Sequence, residues 1–219
     1  MHALTYPEVY SKTLPAKKLV VLLHGIGADG NDWIPLAHYM QNNLTDCHFI
    51  APHGIEPYES APYGRQWFSL LNRDPAVMQP LLARNAPRLM DSIQQKQLTL
   101  QLTNQDTVIM GFSQGAMMGI YLTLIQQTPF LATIAFSGLL IAPPACLNTT
   151  TPIYLIHGIL DNIITVDAVD QAMQYLAKWH IPHNDYKLPH LAHSIDHRGL
   201  QQAIDCIHKA SPGLTVAPK

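Results

Sequence analysis

Short runs of apolar residues alternate with longer amphipathic segments along this chain. The apolar runs predict strands within residues 17–30 and at 48–51, 108–110, 131–136, 152–156 and 184–188. Helical spacing of apolar residues and capping residues predict helices at 33–43, 74–97, 117–124, 167–179 and 194–209. Buried strands that are each followed by a helix are typical of a parallel sheet. The pattern predicts an α/β fold, with a mostly parallel central sheet and helices on both faces.

Two segments depart from this simple alternation. Residues 52–73 combine proline and glycine with many aromatic side chains, and a loop of this length in a compact domain is more often functional than connecting. We expect this segment to form a pocket wall or a lid, with Trp67 and Phe68 lining the substrate pocket. In the helix predicted from residue 74, Pro80 and Pro87 each lack a backbone N–H group, so we expect them to interrupt or kink it.

The composition is that of a globular protein with one core. The chain has 219 residues, 47% of them hydrophobic, and this length does not require a second domain. The formal net charge is −2 and no long run has one sign, which argues against a nucleic-acid partner. No secretory signal or membrane span is predicted, and Cys47, Cys146 and Cys206 fit reduced thiols. We therefore expect one cytoplasmic domain over residues 1–219.

The pattern GFSQG, at residues 111–115, lies between a predicted strand and a predicted helix. G-x-S-x-G in this context is typical of a nucleophile elbow, in which a serine occupies a sharp strand-to-helix turn. Ser113 is then expected at the carboxyl end of a central strand, where open α/β sheets bind their ligands. The pattern predicts a serine hydrolase.

A second glycine-rich turn, HGIG at residues 24–27, follows the first strand. A hydrolase of this kind builds its oxyanion hole from such a turn and from the residue after the nucleophile. We therefore predict the backbone N–H groups of Ile26 and Gln114 as the two donors; the alternative is that the turn is purely structural, because glycine-rich turns after a strand are common in α/β folds. His24 and His157 each precede a glycine at a strand end, where we expect them to fix loops by hydrogen bonding rather than to act in catalysis.

A serine nucleophile needs a base, and the base needs an acid that orients it. Asp161 is favoured as the acid because it follows the carboxyl end of a strand, on the same edge of the sheet as Ser113. Other aspartates fall within helices or at unsuitable strand ends: Asp106, Asp167, Asp170 and Asp185. For the base, His190 and His193 lie between the last strand and the last helix. His193 is favoured because the helix is predicted to begin at Ser194, and His190 remains the alternative.

Five blocks of this chain resemble, in order, motifs of the phospholipase/carboxylesterase family of α/β hydrolases. They are HGIG at 24–27, QWF at 66–68, GFSQG at 111–115, HGILD at 157–161 and HSI at 193–195. The family includes acyl-protein thioesterases and small bacterial carboxylesterases. The resemblance implies an α/β-hydrolase fold with Ser113 as nucleophile, Asp161 as acid and His193 as base. It also implies that neither a cofactor nor a metal is needed.

The substrates that the resemblance implies are acyl esters or thioesters, which are hydrolysed through an acyl-enzyme. They include small-molecule or lipid-like esters and acylated proteins, so that acyl-protein thioesterase or lysophospholipase activity is an alternative. The resemblance is also compatible with a homodimer. A hydrolase-fold binding protein that has lost turnover is the alternative from another class, and the intact serine, aspartate and histidine favour the enzyme.

Overall fold

A seven-stranded sheet forms the centre of the computed structural model, which describes residues 4–211. The strands of that range are β1 (Glu8–Val9), β2 (Lys18–Leu23), β3 (Cys47–Ile50), β4 (Glu56–Pro57), β5 (Arg65–Gln66), β6 (Thr107–Phe112), β7 (Ala132–Phe136), β8 (Ile153–Gly158) and β9 (His183–Leu188). The sheet has the order β1-β3-β2-β6-β7-β8-β9, and β4 and β5 pair separately. All neighbours in the large sheet are parallel except β1 and β3. The predicted mostly parallel sheet is confirmed.

Helices cover both faces of this sheet. Those of the described range are α1 (Ile34–Gln41), α2 (Pro75–Leu100), α3 (Gln114–Ile125), α4 (Asp167–Lys178) and α5 (His197–Ala210). On one face α1 and α5 pack against residues such as Val20 and Leu22 of β2. On the other face α2 and α3 pack against Leu19, Val21 and Leu23 of the same strand. Alternate side chains of one strand thus enter opposite cores, which is why the strand is apolar throughout.

Three local predictions differ from the structure. Helix α2 continues through Pro80 and Pro87, so the predicted interruption is wrong. A long buried face of α2 packs in the core, and this packing outweighs the backbone hydrogen bond that each proline removes. Helix α5 begins at His197 and not at Ser194, because the Asp196 carboxylate caps it by accepting the Gly199 N–H group at 2.9 Å. Strand β1 is an antiparallel edge that was not predicted.

Two further observations bear on the setting of the site. The segment 52–73 is not one irregular loop, because β4 and β5 form a short antiparallel ribbon within it. Within residues 4–211, no helix combines the length and the apolar character needed to cross a membrane.

Candidate active site

Ser113 is the single residue between the end of β6 and the start of α3. Its φ of 54° and ψ of −118° form a strained conformation for a residue with a side chain. The turn is held by the Ser113 N–H group, which donates to the Phe136 carbonyl at 2.9 Å. Gly115 permits this turn, because a Cβ there would lie 2.1 Å from the Leu23 carbonyl oxygen. The G-x-S-x-G pattern therefore corresponds to a real strand-to-helix elbow.

Three side chains form a continuous hydrogen-bonded chain at this elbow. The Ser113 Oγ lies 3.0 Å from the His193 Nε2, and the His193 Nδ1 lies 2.7 Å from the Asp161 Oδ2. The other Asp161 oxygen, Oδ1, accepts the N–H groups of Ile163 and Ile164, each at 3.0 Å. The serine, the histidine and the aspartate that were predicted from their positions are thus brought together.

The Asp161 carboxylate is buried, and its hydrogen bonds decide its charge. Burial by itself raises the pKa of Asp161, but the hydrogen bonds from His193 and from the Ile164 and Ile163 N–H groups outweigh it, and the pKa is lowered. An ionised carboxylate can only accept a hydrogen bond. The His193 Nδ1 therefore carries the hydrogen that it donates to Asp161. The His193 Nε2 then presents its lone pair to the Ser113 hydroxyl.

His157 contacts both the Asp161 carboxylate and the loop that follows it. Its Nε2 lies 2.8 Å from the Ile164 carbonyl oxygen and 3.3 Å from the Asp161 Oδ2. Burial lowers the pKa of His157, so its imidazole stays neutral and donates one N–H to this loop. This agrees with the loop-fixing role expected for His157.

The loop that carries His193 is fixed by backbone contacts to the end of β8. The Leu160 N–H group donates to the Leu191 carbonyl at 2.9 Å. A Cβ on Gly158 would lie 2.2 Å from the same oxygen, so only glycine allows this approach. The Phe112 ring lies 4.8 Å from the His193 ring between centroids and packs against it. The alternative base, His190, lies exposed in the preceding turn and hydrogen-bonds neither Ser113 nor Asp161.

His24 orients the glycine-rich turn after β2. The Gly54 N–H donates to its Nε2 at 2.8 Å, so the remaining hydrogen lies on Nδ1 and is donated to the Gly25 carbonyl at 2.7 Å. The C=O and N–H groups of one trans peptide point in opposite directions. The Ile26 N–H therefore points away from the Gly25 oxygen, and within residues 4–211 no acceptor receives it. The Gln114 N–H stands at the first position of α3, where a helix provides no internal acceptor.

Gln114 also joins the elbow to the segment after β5, a contact that the sequence did not predict. Its Oε1 accepts the Trp67 N–H at 2.8 Å, and its Nε2 donates to the Phe68 carbonyl at 2.6 Å. The Trp67 indole donates to the His24 carbonyl at 2.8 Å. Trp67 and Phe68 are both fully buried, and neither lines the cavity beside Ser113. The prediction that they line a substrate pocket is wrong. Both side chains lie in the core, and the hydrogen bonds of this segment fix the backbone around Ser113 and His24.

A cavity of about 250 Å³ opens beside Ser113, and we call it the serine cavity. Its lining is mainly apolar: Ile26, Leu70, Met78, Met117, Leu139, Ile163, Ile164 and Ala168, with Arg73, Thr165 and Gln171 as polar members. Leu70 and Arg73 come from the segment 52–73. Met117 was predicted in the helix after the elbow but not as a pocket residue, although it lies one helical turn after Ser113 and therefore on the same side of α3.

A doubly covered parallel sheet, a serine elbow after its central strand and an aspartate–histidine pair at the same edge define the class of α/β hydrolases. Residues 4–211 match the model of the phospholipase/carboxylesterase family. The chain belongs to that family, as its motifs predicted, and it is a hydrolase enzyme. Within the described range, no group of histidine, cysteine and acidic side chains is arranged to hold a metal ion.

Individual relatives agree with this assignment. The esterase YpfH of Escherichia coli is 30% identical over 209 residues, which cover 93% of this chain and 88% of that protein. Acyl-protein thioesterase 1 of Kluyveromyces lactis is 26% identical, with 93% and 96% covered. The crystal structure of esterase PE8 superposes with a TM-score of 0.90 at 33% identity, and 96% of this chain and all of that chain are covered. The carboxylesterase of Bacillus cereus shares the fold, with a TM-score of 0.79 at 15% identity and 95% of each chain covered.

Proposed function

We propose that this protein is a serine esterase in which Ser113 is the nucleophile, His193 the general base and Asp161 the acid that orients it. The observation that carries the proposal is the chain of hydrogen bonds of 3.0 and 2.7 Å that links these three side chains beside the serine cavity. A serine hydroxyl is a weak nucleophile at neutral pH, and such a chain activates it.

The reaction begins when the Ser113 Oγ attacks the carbonyl carbon of the substrate and its proton moves to the His193 Nε2. The imidazolium that forms is stabilised by the ionised Asp161 beside Nδ1. The carbonyl oxygen becomes an oxyanion, and the N–H groups of Ile26 and Gln114 are the proposed donors to it. One such donor typically contributes about 3 kcal/mol to the transition state.

The second half of the cycle regenerates the serine. His193 returns its proton to the leaving alcohol or thiol, and the acyl group stays on the Ser113 Oγ as an ester. Water then attacks the acyl-enzyme with His193 again as the base, and the carboxylic acid leaves. These steps transfer only protons and the acyl group, so the proposed cycle uses no cofactor.

The serine cavity supports an apolar acyl chain as the group that the enzyme recognises. Its volume of about 250 Å³ lies just below the range of pockets for drug-sized ligands, so we propose a short or medium-length chain. Met117 and Leu139 supply apolar surface, and Arg73 is the one charged side chain among its lining residues. The names of the relatives, an esterase and an acyl-protein thioesterase, support both esters and thioesters as substrates.

Labelling with a fluorophosphonate probe tests the proposed nucleophile. The wild-type protein should be labelled stoichiometrically, and Ser113→Ala should not be labelled although its circular dichroism spectrum is unchanged. His190→Ala is the matched control and should be labelled like the wild type. A folded wild-type protein that takes up no label would contradict the proposal and favour a binding protein without turnover.

Steady-state hydrolysis of p-nitrophenyl butyrate tests the proposed base. His193→Ala should lower kcat by about 10⁴- to 10⁶-fold, because the serine loses its proton acceptor. His190→Ala, in the same loop, should lose far less. If the two variants ranked in the opposite order, the assignment of His193 as the base would be wrong.

A further inference from the structure

A second cavity, of about 310 Å³, lies beside His193, and we call it the histidine cavity. Its lining includes Asp32, Trp33, Leu36, Phe112, His193 and Ile195. The histidine cavity shares no lining residue with the serine cavity. The two linings nevertheless include direct chain neighbours, namely Gly25 with Ile26 and Phe112 with Ser113. Ser113 lines one cavity and its hydrogen-bond partner His193 lines the other, so the two cavities are adjacent at this pair.

The reacting carbonyl carbon carries two groups, the acyl chain and the leaving group, which extend from it in different directions. The acyl chain stays with Ser113, whereas the leaving group must come within hydrogen-bond distance of the His193 Nε2 to receive its proton. A cavity lined by Ser113 suits the first group, and a cavity lined by His193 suits the second. We propose that the histidine cavity binds the leaving group and that Asp32 selects leaving groups that carry a positive charge. This inference rests on the proposed function.

The charge preference follows from the lining of the histidine cavity. Asp32 is an exposed carboxylate whose Oδ2 accepts the Asp29 N–H at 2.9 Å. Within residues 4–211, no lysine, arginine or histidine lies within 4.0 Å of its oxygens. The Trp33 and Phe112 rings supply aromatic surface in the same cavity. A carboxylate beside aromatic rings attracts an ammonium group and at the same time accommodates its alkyl substituents.

A pair of esters with the same acid and the same shape isolates the effect of charge. Butyrylcholine and 3,3-dimethylbutyl butyrate differ in that a quaternary nitrogen replaces a carbon. Both form the same acyl-enzyme, so a difference in kcat/KM reports the leaving group. Asp32→Asn keeps an oxygen for the Asp29 N–H and removes the charge. It should lower the ratio of kcat/KM for butyrylcholine to that for the neutral ester about threefold to fivefold, as expected for an exposed ion pair.

Asp167→Asn is the matched control, because Asp167 is an exposed carboxylate at the start of α4 and lines neither cavity. It should leave the ratio unchanged. An unchanged ratio in Asp32→Asn, or an equal loss in Asp167→Asn, would overturn the role of Asp32. Labelling of the wild type by the fluorophosphonate probe separates this failure from a failure of the proposed function, since labelling does not depend on Asp32.

Filling the histidine cavity tests its assignment independently of charge. Leu36→Trp places a larger side chain in the lining of the histidine cavity, and Leu36 is not among the lining residues of the serine cavity. It should lower kcat/KM for 3,3-dimethylbutyl butyrate at least tenfold and that for methyl butyrate less than threefold, because a methoxy group needs far less of the cavity volume than a dimethylbutoxy group. Equal losses for both esters, or no loss for either, would overturn the assignment of this cavity to the leaving group.

Discussion

His24 offers a quantitative test of how the glycine-rich turn is held, because its imidazole is neutral in the folded protein. Its Nε2 accepts the Gly54 N–H and its Nδ1 donates to the Gly25 carbonyl. Burial lowers the pKa of His24 from 6.5 to about 4. A second proton on Nε2 would face the hydrogen of the Gly54 N–H group, so protonation breaks the contact that orients the turn.

The sign of the pH effect follows from comparing the folded and unfolded chains. Well above pH 6.5 the imidazole of His24 is neutral in both the folded and the unfolded chain, and the stability is fully present. As the pH falls, the unfolded chain takes up a proton near pH 6.5, whereas the folded chain does so only near pH 4. Stability is lost through this window. The total loss is about 3 kcal/mol, of which about 2 kcal/mol has occurred at pH 5.

Urea unfolding of the wild type and of His24→Gln at pH 8 and pH 5 measures this loss. At pH 8 the variant should be less stable, since the imidazole that packs against Trp67 is removed. At pH 5 the difference in unfolding free energy should be smaller by about 2 kcal/mol, because only the wild type must keep this histidine neutral. His180→Gln, at an exposed histidine, is the matched control. If the difference in unfolding free energy between the wild type and His24→Gln were the same at both pH values, His24 would not cause the loss of stability.

Three further predictions concern the site itself. Gly158→Ala should lower kcat at least tenfold in hydrolysis assays on folded protein, because its Cβ would collide with the Leu191 carbonyl and displace His193; an unchanged kcat would contradict the tight approach. Asp161→Asn should lower kcat about 10⁴-fold, since an amide does not stabilise the imidazolium, and a loss below tenfold would exclude Asp161 as the acid. Met117→Trp should lower kcat/KM for p-nitrophenyl octanoate at least tenfold relative to the acetate, and equal losses would place the acyl chain elsewhere.

Periodic patterns were sufficient to predict the parallel sheet, and short motifs after its strands were sufficient to locate the candidate site. Apolar strands followed by helices require a parallel sheet, and the carboxyl ends of its strands lie at one edge. Residues after different strands, such as Ser113 and Asp161, are therefore brought to the same edge although they are far apart in the chain. The resemblance of five sequence blocks implied the α/β-hydrolase fold and the family, and the family model and the similar solved structures confirm both.

Features that depend on contacts between distant segments could not be predicted from local patterns. Strand β1 has two residues and exists only through its pairing with β3. The continuity of α2 at Pro80 and Pro87 is decided by the core that its apolar face enters. Trp67 lies in a segment whose composition suits a pocket wall equally well, and only its hydrogen bonds to Gln114 and His24 assign it to the core.

Gln114 connects the backbone segments that form the site. Its N–H stands beside the nucleophile, while its side chain binds the backbone of Trp67 and Phe68. The Trp67 indole donates a hydrogen bond to the His24 carbonyl. The His24 side chain in turn orients the peptide that carries the Ile26 N–H. The two N–H groups proposed to bind the oxyanion are therefore connected through one network of buried hydrogen bonds. This network is present without a substrate, and donors that are oriented in advance stabilise a transition state without reorganisation.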